Sequence, residues 1–333
     1  MKAKALLQLS LALSAFGLLQ SAGNCPAGSA RNANYEVTED TMVFTNPGRW
    51  FYGVLDNKLY IRGVEMTAED HATDERLTGT VTIVFDMVWE GPKQLGPIWG
   101  YVKLQNHHAE PAKNGWWEGY CFGARELDQD GETVVSSFEG TMQGRGIHEG
   151  LIARYWYKGT DVMGTGILPG HGYVVEHGAP VRPLKTRTSH THLGMIVPGF
   201  YVIPFSPVPI TDPIEMKTLI YWWVEDASGL TTHMGLGVDS GFGIFDMETG
   251  TGSGMGYETA ANGDKIHWVA GLTGLPNEYT RLDLNFAGGT ARFDAAVGGF
   301  TATFKEEVSI PDPENPMLLQ VDFGYAASGW IRY

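Results

Sequence analysis

The stretch Leu282–Phe304, LDLNFAGGTARFDAAVGGFTATF, decides how the rest of the chain is read. Leu282, Leu284 and Phe286 alternate with Asp283 and Asn285, the period-2 pattern of a strand buried on one face. Gly288-Gly289 breaks the run, and Gly298–Phe304 then alternates aromatic or alanine residues with glycine or threonine. The segment predicts a strand, a glycine turn, a short irregular connection and a returning strand.

The same grammar extends outward. Leu77–Trp89, Ile98–Leu104, Gly115–Gly123, Val134–Gly140 and Gly144–Tyr157 each alternate, with turn residues such as Asp130-Gly131 between them. Phe51–Ile61 predicts a hairpin, and the polar stretch Thr67–Glu75 a loop or short helical turn. Met216–Glu225, Thr231–Asp246, Gly254–Thr259 and Lys265–Gly271 restart the meander, and Leu318–Tyr325 ends it. No segment shows a sustained helical period. Glycine supplies 44 of 333 residues, and glycine inside alternating segments marks bulges and close strand contacts. The expected fold is all-β: two antiparallel meander β-barrels, at 34–163 and 214–333, with a Pro/His-rich connection at 164–213. One large sandwich or one continuous sheet is the alternative.

Composition narrows the partners. The formal net charge is −15 and no basic cluster occurs, which excludes nucleic-acid backbones and anionic membranes. Residues 1–23 carry Lys2 and Lys4, an apolar Ala5–Leu19 and small Ser21-Ala22-Gly23, so they read as a signal peptide. The mature chain is expected to be secreted or periplasmic, without stable membrane insertion. Cys25 and Cys121, the two cysteines, suit one disulfide in an oxidising compartment, two separate cysteines, or a lipidated Cys25.

Gly288, Gly289, Thr290, Phe293, Ala296 and Gly298 or Gly299 resemble the Gly-Gly-Thr-Gly-x-Phe-x-x-Ala-x-Gly element of allene oxide cyclase-like and dirigent-like (calycin-like) barrels, with Ala291 at the fourth glycine. The resemblance implies eight-stranded barrels whose apolar cavities cyclise or orient small hydrophobic compounds. It carries no catalytic residue onto this chain.

Two constellations carry candidate chemistry. His171, His177, His190 and His192 fall close together in the chain, and His190-Thr191-His192 places two imidazoles on one strand face, compatible with zinc or copper. Exposed loop histidines are the alternative. Glu118, Glu258 and His267 lie among tryptophans and tyrosines, where a carboxylate held in an aromatic cavity would have a raised pKa and serve as a general acid or base. The same residues could instead point outward, because strand parity does not separate inside from outside when both faces carry aromatics. The functional expectation is binding of a small, largely apolar molecule, with cofactor-independent cyclase, isomerase or hydratase chemistry as its enzymatic form. A histidine-dependent metalloenzyme and a carbohydrate-binding or polysaccharide-acting protein are the alternatives.

Overall fold

The computed structural model describes residues 32–39, 42–107, 114–160, 169–175, 180–202, 216–274 and 279–333. The protein is all-β, a single antiparallel sheet of 19 strands, and among the described residues it contains no α-helix. In the first half the strands are β1 (Asn32–Glu39), β2 (Val43–Asn46), β3 (Arg49–Gly53), β4 (Lys58–Ala72), β5 (Gly79–Glu90) and β6 (Gly96–Asn106). They continue as β7 (Gly115–Leu127), β8 (Val134–Gly146), β9 (Ile152–Thr160) and β10 (Gly170–Val175). The second half contributes β11 (Arg182–Val202), β12 (Met216–Thr231), β13 (Gly235–Asp246), β14 (Thr251–Thr259) and β15 (Lys265–Thr273). It ends with β16 (Tyr279–Gly289), β17 (Val297–Lys305), β18 (Glu307–Ser309) and β19 (Leu318–Arg332).

Pairing runs from β4 through neighbours to β10, then β10 pairs β1 and β1 pairs β4. The second half repeats this order from β11 to β17, with β17 pairing β19 and β19 pairing β11. β3 joins the halves by pairing both β4 and β11.

Two expectations change. Residues 164–213, read as a connection with one or two apolar strands at Leu193–Phe205, contain β10 and the 21-residue β11, which covers the first part of that stretch. Each strand finds pairing partners on both sides, so the backbone is satisfied by ladders despite the prolines. Pro183 and Pro198 nevertheless both sit within β11. Thr67–Ala72, read as a loop, is the end of β4: Met66 and Ala68 are buried on one side, and only Glu75–Leu77 forms the short helical turn. Its polar residues mark one exposed face of a strand. Asp70 is the exception; it is buried and accepts from Tyr157 Oη at 2.8 Å.

Alternation divides the apolar residues among separate cores. Val81, Ile83, Phe85 and Met87 of β5 join Trp117 and Cys121 of β7 inside the first half. Trp222, Trp268, Leu284, Phe304 and Phe323 fill the second half. Phe51, Trp99, Phe122, Leu219, Ile244 and Val269 form a third cluster where the halves meet. Burying each such large side chain contributes roughly 1.5–3 kcal/mol. Polar contacts cross the same seam: Trp99 Nε1 donates to Ser253 Oγ at 3.0 Å, Arg62 to the Thr251 carbonyl at 2.7 Å, and Thr141 Oγ1 to the Ala296 carbonyl at 3.0 Å.

Two glycine rows shape the second core. An added Cβ at Gly243 or Gly254 would strike the Trp222 indole, and one at Gly241 or Gly256 the Trp268 indole. The glycines of β13 and β14 thus form a shallow trough in which two large rings lie against bare backbone.

Candidate functional site

Where the glycine trough ends, the same inward-facing rows carry acids. Asp239 follows Gly237 on β13, and Glu258 follows Gly256 on β14; the two are direct register partners. β11 brings Thr186, Thr188, His190 and His192 to this interior on alternate positions, as period 2 requires. β19 supplies Phe323 and Tyr325. The result is a polar cluster set in aromatic walls.

His190 is buried. Its Nε2 lies 2.7 Å from Thr188 Oγ1 and 3.6 Å from Asp239 Oδ2, while Nδ1 has no hydrogen-bond partner. The ring packs nearly parallel to Phe323 and Tyr325, with centroids 5.4 and 5.9 Å away. His192 stacks on Trp222 at 5.1 Å and 5°. Burial holds both imidazoles neutral, pushing His190 down to about 4 and His192 to about 3.

The carboxyl groups move the other way. Burial pushes Asp239 up, against a hydrogen bond from Trp268 Nε1 at 3.2 Å. Burial and then the charge of Asp239 push Glu258 up, against a hydrogen bond from Thr231. Glu258 Oε1 is buried without a partner. Two carboxyl groups on register partners in an apolar interior do not both ionise cheaply, which favours a state with one of them protonated. One group can then donate a proton while the other accepts one. Beside Asp239 is a cavity of about 40 Å³, lined in part by His190, His192, Trp222 and Trp268. That volume holds a few waters. β11 and β12 shift register between Thr188 and Leu193, next to both histidines.

The expected residues divide among four places. Glu258, His190 and His192 meet in this interior. Glu118 does not: Trp117 and Cys121 take the inner face of β7, so Glu118 faces outward into a groove between the halves, accepting from Arg145 Nε at 2.8 Å. His267 lies on the face of β15 opposite Trp268 and points at the seam, edge-on to Phe122 at 4.3 Å. Burial, then Arg154 and Lys265, push it down to about 3. His171 is exposed on β10, stacked on Trp156, and His177 lies outside the described residues. The three expected acid–base residues therefore do not converge, and of the three described histidines His171 stands apart from His190 and His192. Among the described residues, no three His, Cys, Asp or Glu side chains stand in a metal-binding arrangement.

Asp239, Thr188, Thr231 and Tyr325 escaped the sequence reading. The available signal was parity: Asp239 shares its row with Gly237, Gly241 and Gly243, and an acid in a row of inward glycines faces inward too. Cys121 is a free, fully buried thiol, pushed up to about 12 by burial, and Cys25 lies outside the described residues. Among the described residues no helix is long and apolar enough to cross a membrane. Comparison with protein-family models, curated proteins and solved structures finds no match to this chain.

Proposed function

We propose that the two returning ladders are tandem barrels and that the second binds a small, largely apolar molecule and moves a proton on it. The observation that carries this reading is the Asp239–Glu258 pair: directly opposed, buried among aromatics, with one carboxyl oxygen unpartnered. The protonated member would deliver its proton to a double bond or oxygen of the ligand while the ionised member removes one elsewhere. This is the proton balance of an isomerase or cyclase, and addition of water gives the hydratase version. Neutral His190 would accept a hydrogen bond or relay a proton from Thr188. The resting cavity is small, so binding would part the His192–Trp222 stack beside the register shift between β11 and β12. Aromatic walls exclude water and hold the ligand in a reactive orientation. The chemistry asks for no cofactor. Export to a secreted or periplasmic location belongs to the same reading, on the strength of residues 1–23.

Native mass spectrometry of gently purified full-length protein, followed by extraction and identification of any apolar passenger, tests the proposal. The expected result is a passenger retained by Glu258→Gln and lost in Ala270→Phe, which fills the cavity. A passenger unaffected by Ala270→Phe, or none together with no uptake of added apolar compounds, would contradict it.

A further inference from the structure

A roomier cavity lies elsewhere, in the groove between the halves, at about 510 Å³. That falls within the roughly 300–1,000 Å³ of small-molecule sites, whereas the interior of the second half does not. We propose that this groove is a separate binding site for a neutral saccharide.

Its two walls come from different halves. The first presents Tyr101, Tyr120, Gln143 and the Glu118–Arg145 pair; the second presents Asn285 and Trp330. Tyr101 and Tyr120 meet edge to face at 5.7 Å, and Trp330 gives a ring on the opposite wall. Sugar rings offer C–H faces that pack on aromatic surfaces and pairs of hydroxyls that match planar polar groups. The planar groups are in place. The side-chain amides of Gln143 and Asn285 make no hydrogen bond to the described protein and each offers a donor and an acceptor. Glu118 is fixed by Arg145 Nε at 2.8 Å and by Tyr101 Oη at 3.4 Å, leaving other guanidinium hydrogens directed away from that bond. Asp283 is held by Arg281 at 2.9 Å and by Thr301 Oγ1 at 2.6 Å.

Charge selects within this class. Glu118 is matched by Arg145, which also reaches Glu149 at 3.9 Å, and Asp283 by Arg281, so neither acid of the lining stands as an unpaired charge to draw a cation. The lining of amides, hydroxyls and ion pairs is too polar for a wholly apolar ligand. Part of the floor is backbone at Gly119, Gly298, Gly299 and Gly329, where neighbouring strands lie too close to admit a Cβ.

Isothermal calorimetry on the full chain with a panel of neutral di- and tetrasaccharides of glucose, galactose, mannose and N-acetylglucosamine tests the assignment. At least one is expected to bind, with affinity falling tenfold or more in Gln143→Ala plus Asn285→Ala. Neither amide has a protein partner, so the melting temperature of that variant should match wild type. Glu258→Gln, in the separate interior site, is expected to bind as wild type does, which keeps failure here distinguishable from failure of the acid–base reading. No binding across the panel, or equal affinity in the double variant, would overturn the proposal.

Discussion

Ala291 adopts φ +49, in the left-handed region where a Cβ is strained, at the position where the resembling motif has glycine. Phe293 and Ala296, both fully buried, fix the turn around it. Ala291→Gly should therefore raise unfolding stability by up to about 1 kcal/mol, measured by urea denaturation; a loss would show that the turn tolerates the alanine without strain. His267 offers a second test. It is neutral when folded, down to about pH 3, whereas an unfolded histidine protonates near pH 6.5. Its contribution is thus present above about pH 6.5 and is lost as the pH falls toward 3, by as much as about 5 kcal/mol. His267→Phe, which keeps the packing on Phe122, should flatten the acid limb of a melting-temperature profile. An unchanged acid limb would place the sensitivity elsewhere.

Most strands were legible, because period 2 and glycine turns survive any choice of inside or outside. The Leu282–Phe304 stretch folds as β16, a short helical turn at Ala291–Phe293, and β17. The site was only half legible. Glu118 and Glu258 look alike in sequence, each among aromatics, yet one faces the seam and the other the second interior. What separates them is which neighbours are forced inward: fully buried Trp117 on β7, and the glycines beneath Trp268 on β14. β11 was obscured by its prolines and by polar residues that alternate with the buried Thr186, Thr188 and His190. The glycine trough makes its own prediction. Gly254→Ala would press a methyl into the Trp222 ring and should cost about 1–3 kcal/mol in chemical denaturation. Gly271→Ala, where a Cβ meets nothing, is the control and should be near neutral.

At the scale of the whole molecule, apolar and polar contacts at the seam tie the two halves together. Buried Arg154 of the first half contacts Glu139, donates to the Gly140 carbonyl at 3.0 Å, and reaches Asp294 of the second half at 3.5 Å. Asp294 also accepts from Tyr173 Oη at 2.5 Å. Arg154→Met leaves two carboxylates without their cation and should cost about 3–5 kcal/mol. We expect wild type to unfold in one transition and this variant to show the halves separating in two; a single unshifted transition would contradict that coupling. The central claim concerns the second half: Asp239 and Glu258 hold one proton near neutral pH. Because a retained proton raises the folded-state titration, the pair's stabilising contribution is complete below about pH 4 and declines as the pH rises through its own range. Infrared difference spectroscopy of the protonated-carboxyl band during a pH titration reads that proton directly. Buried Asp70, pushed up to about 7, gives such a band in both proteins; wild type should show a further carboxylic acid well above pH 5 that is absent from Asp239→Asn plus Glu258→Gln, and identical titrations of the two proteins would contradict the account.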